Sequence, residues 1–168
     1  MDAFEAQKRD LLQPLLFEAG AGLMDCQAFE FGIALLLFHF ARLGTPGLDP
    51  SKIESILNNS DKKTSGQLIR LLRQRLSISD GIDHALSEAL TARNELVHRV
   101  LIDNIESVLR HEDREKLVKH VRHLRRTVRA ADQMLRPFIA AFNEALDGVS
   151  QAKIEAEARA LFGHPGTG

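Results

Sequence analysis

The sequence predicts an all-α fold, and three observations support this prediction. No stretch alternates apolar and polar residues for long enough to form a half-buried strand. Prolines and glycines divide the 168 residues into segments in which apolar residues recur three and four positions apart. Hydrophobic residues make up 44% of the chain and charged residues 27%, a balance typical of a globular domain with one substantial core.

Two helices are expected in the first 43 residues. An apolar stripe over Phe4–Leu16 predicts a helix that bends at Pro14 and ends around residues 20–22, where two glycines stand. A second helix is expected from about Asp25 to Leu43. Its most apolar part, Phe31–Ala41, is shorter than the ~20 residues of a membrane span, so we interpret it as a buried helix.

Turn and capping signals predict three further helices in the middle of the chain. Residues 44–47 form a Gly/Pro turn, after which Asp49 and Pro50 have the N-cap and first-turn chemistry of a short helix. Thr64–Gln67 has the spacing of a capping box and predicts the start of the next helix. A longer helix is expected over about Asp80–Ile102.

The longest regular pattern lies in the C-terminal third. Pro137 lacks the N–H group that a helix needs, so a kink or break is expected there. A final helix is expected over about Ser150–Phe162, which gives one helical domain over residues 1–162 and a flexible tail over residues 163–168. The apolar positions of the long pattern alternate steps of four and three and are Leu117, Val121, Leu124, Val128, Ala131, Leu135, Phe138 and Phe142.

Composition narrows the class of protein. The net charge of -1 at pH 7 argues against a uniformly basic nucleic-acid binder. The single cysteine, Cys26, excludes an internal disulfide and a cysteine-based zinc site. The acidic start of the sequence does not resemble a secretory signal. We therefore expect a cytoplasmic protein without a membrane-spanning segment.

One short motif, the hexapeptide Arg-Asn-Glu-Leu-Val-His at residues 93–98, is the main candidate for a chemical site. Arg93 stands where the apolar seam of its helix should continue. An unpaired charge on such a seam is costly, so Arg93 should find a carboxylate, a bound phosphate or a route to solvent. The structural alternative is an arginine that snorkels or forms a salt bridge. The seam is marked by Leu86, Leu90, Val97 and Val100.

A polar stripe runs along an adjacent face of the same helix. At about 100° per residue, Arg93 and His98 lie about 140° apart around the axis, so one helix alone is expected not to bring them together. The same helix from a second subunit, crossing about a two-fold axis, would gather two arginines and two histidines in one cleft. The motif therefore predicts a homodimer. The polar stripe consists of His84, Glu88, Thr91, Glu95 and His98.

The motif resembles the signature of the HEPN superfamily, in which an arginine is followed four to six residues later by a histidine and is often followed directly by asparagine. The likeness covers the helical organisation from roughly Phe29 to Phe142. It implies a HEPN-like antiparallel helical bundle with extra short helices, acting as a homodimeric, metal-independent RNA endonuclease with Arg93, His98 and Asn94 as catalytic residues. Many members are toxins or defence effectors, so the resemblance also implies a nucleotidyltransferase-like antitoxin as partner.

These residue types suit RNA cleavage through the 2′-hydroxyl, which needs proton transfer and stabilisation of charge on a phosphate. Histidine serves as acid or base near neutrality, and arginine offers a fork of donors for phosphate oxygens. Asn94 can orient His98 or hold the phosphate. This scheme requires no metal and no other cofactor.

Other patterns compete with this motif. Arg114 with His120, and Arg159 with His164, have the bare arginine-to-histidine spacing, but neither arginine is followed by asparagine. Residues 95–98 also have the Glu-x-x-His spacing of di-iron bundles, which would need a second copy from a dimer.

Residues 110–136 carry nine basic side chains against four acidic ones. They flank the long apolar pattern and can form a phosphate-binding ridge, although a solvated helical face has the same appearance. The alternative to the ribonuclease is therefore a catalytically inactive helical bundle that binds RNA, a nucleotide or a protein partner. The nucleic-acid-binding candidates are Arg122, Arg125, Arg126, Arg129 and Lys119.

Overall fold

The protein is all-α, as the sequence predicts, in a computed structural model that describes residues 3–58, 64–145, 155–156 and 158–160. The described residues contain no strand. Most of the expected final helix, and all of the expected tail over residues 163–168, lie outside the described residues. The helices are α1 (Ala3–Arg42), α2 (Pro50–Leu57), α3 (Thr64–Arg75), α4 (Asp80–His98), α5 (Ile105–Leu109) and α6 (His111–Ala145).

The two helices expected in the first 43 residues are one helix, α1, which is 40 residues long and contains Pro14. The prediction that it ends around residues 20–22 is wrong. Glycine costs a helix interior only about 1 kcal/mol relative to alanine, which packing can offset. Gly22 is buried, and a Cβ added there would lie 3.3 Å from Leu96 Cδ2, so this glycine permits close packing on α4.

Part of α1 is long and apolar enough to cross a membrane by length and composition alone. The best 18-residue window within Leu12–Arg42 has a mean hydropathy of 1.5, and 56% of that window is buried inside the protein. A core helix passes the same test. Residues 32–39 are all buried, which agrees with the interpretation of this segment as a buried helix.

The cap predicted at Asp49 and Pro50 is confirmed. Asp49 Oδ1 accepts a hydrogen bond from the Lys52 backbone N–H at 3.0 Å, and Pro50 is the first residue of α2. The later helices differ from the prediction. α4 ends at His98 rather than near Ile102, because the backbone N–H groups of the next two residues both donate to the Glu95 carbonyl, at 2.9 and 2.8 Å.

α6 continues as helix through Pro137, so the expected break does not occur there. The buried position after Leu135 is Ile139, whereas Phe138 is 44% exposed. The predicted apolar pattern is therefore wrong at Phe138, where the step is four residues instead of three.

The described contacts group the chain into two compact units. Unit 1 comprises Met1–Ala28 and His84–Ala131, and unit 2 comprises Phe29–Asp83 and Asp132–Gly168. A single domain over residues 1–162 stays a prediction. All the candidate site residues belong to unit 1. Its buried apolar side chains include Leu15, Cys26, Leu86, Ala89, Ala92, Leu96, Val100, Leu117, Val121, Leu124, Val128 and Ala131.

Candidate active site

Arg93 lies on the buried stripe of α4, as the periodicity predicts, and only 8% of the residue is exposed. Leu90 and Val97, which were expected on the same seam, are partly exposed and lie at its edge. A permanently charged guanidinium group is therefore held at a position that the helix otherwise fills with apolar side chains. The buried neighbours on the stripe are Leu86, Ala89, Ala92 and Leu96.

Arg93 and His98 meet within one chain. Arg93 Nη1 lies 3.2 Å from His98 Nε2 and also donates to Asn94 Oδ1 at 3.2 Å. The expectation that one helix keeps Arg93 and His98 apart is therefore wrong. Five residues rise only about 7.5 Å along a helix, a distance that the long arginine side chain can follow. The partial negative charge at the carboxyl end of α4 favours a cation there.

Arginine has only N–H donors, so in a hydrogen bond between these two atoms Arg93 Nη1 donates and His98 Nε2 accepts. A neutral imidazole can take up a proton as a general base once Arg93 turns from Nε2 to another acceptor. His98 is half-buried and Asn94 is exposed, so a ligand can reach both from solvent.

A second histidine lies beside the motif, and the sequence analysis did not assign it to the site. His120 Nε2, in α6, lies 2.5 Å from Glu95 Oε1, with 44% and 35% of the two side chains exposed. Glu95 was expected as a member of the polar stripe of α4 and, with His98, as a Glu-x-x-His pair. Glu95 precedes His98 by three positions, which makes the two side chains neighbours on the helix surface.

The Glu-x-x-His pair of residues 95–98 gains no further ligand from this arrangement. In the part of the chain that the structure describes, no three His, Cys, Asp or Glu side chains lie close enough together to hold a metal ion. The Glu95 carboxylate is instead engaged by His120.

The predicted nucleic-acid-binding residues divide into two classes. Arg122 Nε donates to Glu18 Oε1 at 2.7 Å. Arg125 donates from Nη1 to Glu18 Oε2 at 2.8 Å and from Nε to Asp25 Oδ2 at 2.7 Å. These two arginines therefore bind α1, which neutralises part of the ridge. The remaining candidates, Arg126, Arg129 and Lys119, are exposed.

The hydrogen bonds that Glu18 accepts from its arginine partners shift the pKa values of Glu18 and Arg125. Burial by itself raises the pKa of Glu18, but the hydrogen bonds from Arg122 and Arg125 outweigh it, so this pKa lies below its ordinary value. Hydrogen bonds to Asp25 and Glu18 raise the pKa of Arg125. Glu18 and Arg125 therefore both stay charged at neutral pH. Glu18 fixes the position of two guanidinium groups, those of Arg122 and Arg125.

Four arginines on this face of α6 line a recess of about 280 Å³. These are Arg122, Arg125, Arg126 and Arg129. At about 100° per residue, they lie between about 120° and 180° around the helix axis from His120. Because His120 contacts α4, the recess and the Arg93 site lie on different flanks of α6. Within one chain, the arginine recess is therefore not an extension of the Arg93 site.

The structure thus brings together Arg93, Asn94 and His98, adds Glu95 with His120 beside them, and separates these residues from the arginine recess. The arrangement offers a fork of donors for an anion, an amide and two imidazoles. Comparison of the chain with protein-family models, with curated proteins and with solved structures gave no match.

Proposed function

We propose that this protein is a HEPN-like, metal-independent RNA endonuclease. The observation that carries the proposal is the contact of Arg93 Nη1 with both Asn94 Oδ1 and His98 Nε2. The three residues that the HEPN resemblance makes catalytic form one hydrogen-bonded cluster, which supports a common chemical role. Arg93 is also a costly residue for its buried position, which favours a functional reason for its presence.

The cluster can promote attack of the 2′-hydroxyl of RNA on the adjacent phosphorus. A phosphate oxygen that binds Arg93 draws the guanidinium away from His98 and exposes the Nε2 lone pair. His98 then accepts the 2′-hydroxyl proton while Arg93 stabilises the charge that develops on the phosphate. Asn94 holds a phosphate oxygen or keeps the imidazole in place. The products are a 2′,3′-cyclic phosphate and a 5′-hydroxyl.

The proposed active form is a homodimer, and apolar side chains next to the site support this. Ile102 and Ile105 follow His98 closely in the chain and are 74% and 59% exposed. Covering them with a second copy would remove apolar surface from water, at about 25 cal/mol per Å². By the same resemblance, the protein is a cytoplasmic toxin or defence effector that a nucleotidyltransferase-like antitoxin restrains.

Cleavage of labelled single-stranded RNA in the presence of a chelator tests this proposal. Arg93→Ala and His98→Ala should each lower the rate by about 10²-fold or more, because each removes one element of transition-state stabilisation. His84→Ala, which changes an exposed histidine on the same helix, is the matched control and should leave the rate unchanged. RNA with 2′-O-methyl groups should resist cleavage. Full activity of Arg93→Ala and His98→Ala, or cleavage of the methylated RNA, would overturn the proposal.

RNA binding without cleavage is the second candidate function, and the arginine recess is the observation that favours it. Arg126 and Arg129 are exposed there, whereas Arg122 and Arg125 are engaged by α1. Arg126→Glu with Arg129→Glu should weaken RNA binding and reduce its salt dependence. Arg110→Glu, at a position of high exposure outside the recess, is the control. A wild-type protein that binds RNA through this recess and does not cleave it has this second function.

A further inference from the structure

RNA cleavage through the 2′-hydroxyl moves two protons. One leaves the 2′-hydroxyl, and one must reach the 5′-oxygen as its bond to phosphorus breaks. In the proposed cluster, His98 takes the first proton. A guanidinium group is too weak an acid to supply the second proton, and the amide of Asn94 is not an acid. Within one chain, the motif therefore needs one more titratable group, and in the proposed homodimer the second copy of His98 is the competing source.

Glu95 and His120 form a pair of titratable side chains beside the motif. Glu95 lies three positions before His98 on α4, a spacing at which Cβ atoms are about 5–6 Å apart. His120 reaches Glu95 from α6, with its Nε2 atom 2.5 Å from Oε1. Glu95 is therefore about one helical turn from His98 and in contact with His120. The His120 side chain is 44% exposed, so a nucleic acid can approach it.

The pairing also orients the ring of His120. The carboxylate can only accept, so it holds the proton on Nε2 of the imidazole. When the ring is protonated, Nδ1 carries the second proton and is the atom that remains for the substrate. A carboxylate that fixes the ring and tautomer of a catalytic histidine is a common way of preparing an acid or base.

We propose that His120 is the general acid of the reaction and that Glu95 is its positioning residue. The inference rests on the ribonuclease function proposed above. The bond from the 2′-oxygen to phosphorus forms while the bond from phosphorus to the 5′-oxygen breaks. His98 Nε2 takes the 2′-hydroxyl proton, and His120 Nδ1 gives its proton to the 5′-oxygen. Proton exchange with water afterwards restores both rings.

A leaving-group substitution tests the role of His120 directly. The substrate is an RNA cut by the wild-type protein, compared with the same RNA carrying sulfur in place of the 5′-oxygen at the mapped cleavage site. A thiolate leaves without protonation, so the sulfur-containing RNA does not need a general acid. His120→Gln, which keeps an N–H donor for Glu95, should slow the normal RNA by about 10²-fold or more. It should leave the sulfur-containing RNA at the wild-type rate.

Glu95→Gln should also slow the normal RNA and not the sulfur-containing RNA, but by a smaller factor. The change keeps His120 as the acid and removes only the carboxylate that orients its ring. The matched controls are His84→Gln and Glu88→Gln. They change another histidine–glutamate pair of α4, 3.5 Å apart, that lies wholly within that helix. Neither control should affect either RNA.

Three results would overturn the inference. If His120→Gln slows cleavage of both RNAs equally, His120 has a structural role. If it slows cleavage of neither RNA, His120 has no role in the reaction. A wild-type protein without chelator-resistant activity would remove the ribonuclease proposal and the inference together. If His98→Ala abolishes cleavage while His120→Gln does not, the ribonuclease proposal stands and only the assignment of His120 fails.

Discussion

In α4, Arg93 Nη1 lies 3.2 Å from His98 Nε2, although five positions separate the two residues on one helix. The contact joins a buried cation to a half-buried imidazole at the last residue of the helix. Because arginine only donates, a hydrogen bond here uses the Nε2 lone pair of His98, which is the lone pair that a general base needs. The same arrangement holds a charge in an apolar stripe, and stability should reflect that cost.

Replacing Arg93 by methionine should keep or raise the free energy of unfolding while removing RNA cleavage. Methionine fills much of the same volume without a desolvated charge. The loss of the guanidinium donors should slow cleavage by about 10²-fold or more. Denaturant unfolding followed by circular dichroism, together with the cleavage rate, measures both effects.

Arg99→Met is the matched control, because Arg99 is exposed one position after α4 and should affect neither quantity strongly. A large fall in the free energy of unfolding of Arg93→Met would contradict the prediction. It would mean that Arg93 chiefly holds the helices together.

Local sequence signals predicted where helices occur better than where they end. Gly22 looked like a helix end, but its lack of a side chain allows Leu96 to pack against α1, and this packing offsets a low helix propensity. Pro137 looked like a break. Leu135 and Ile139 on either side of it are both buried, so tertiary contacts maintain α6 through a missing backbone hydrogen bond.

The candidate site was predictable only in part. Periodicity indicated that Arg93 lies on the buried stripe, but the angle around the helix axis wrongly suggested that one chain keeps Arg93 and His98 apart, because it ignored the reach of the arginine side chain. Partners from other helices were not predictable. Glu18 binds Arg122 across 104 positions, a relation that depends on packing and leaves no local pattern. The pairing of His120 with Glu95 has the same origin.

Replacing Glu18 by glutamine should destabilise the protein. The carboxylate accepts from Arg122 and Arg125 while itself buried, so the change leaves two cations without their shared acceptor. Because Arg122 is 45% exposed, the loss should exceed the ~1 kcal/mol of surface pairs and stay below the ~3–5 kcal/mol of fully buried ones. Asp113→Asn, which breaks the exposed pair with Lys116, is the control and should have little effect.

Comparison of the wild type with Glu18→Gln also gives a prediction about pH. The pKa of Glu18 is lower in the folded chain than its ordinary value, so its contribution to stability is complete above the ordinary value. The contribution is lost as the pH falls through the lower folded value. The difference in free energy of unfolding between wild type and Glu18→Gln should therefore shrink in acid. A difference that stays constant down to the lowest pH would show that the network is not responsible.

Ile102→Asp should convert the proposed dimer into a folded monomer with reduced RNA cleavage. Ile102 is 74% exposed near the end of α4, so a charge there disturbs an interface without disturbing a core. Phe17→Asp makes the same type of change on α1, at a side chain that is 68% exposed, and should leave the dimer intact. Light scattering after gel filtration measures the mass. A wild-type monomer, or dimers in both variants, would exclude this interface.

His39, in unit 2, should make the protein sensitive to mild acid. The residue is fully buried, and neither ring nitrogen has a hydrogen-bond partner among the described residues. Its ring stacks on Phe142 with 5.5 Å between centroids. Burial, and to a lesser degree the nearby charge of Arg42, lowers the pKa of His39. The folded chain therefore resists the protonation that the unfolded chain accepts.

The sign of the effect follows from this difference. Above the ordinary histidine pKa, near 6.5, both states are neutral and the stability is complete. As the pH falls below that value, the unfolded chain binds a proton that the folded chain excludes, so the free energy of unfolding drops by up to about 1.4 kcal/mol per pH unit.

His39→Leu should flatten this slope between about pH 6.5 and 5. It should also remain as stable as wild type at neutral pH, because leucine leaves no unsatisfied buried nitrogen. His84→Gln, at an exposed histidine, should keep the wild-type slope, and a His39→Leu curve parallel to the wild type would show that another group carries the acid response.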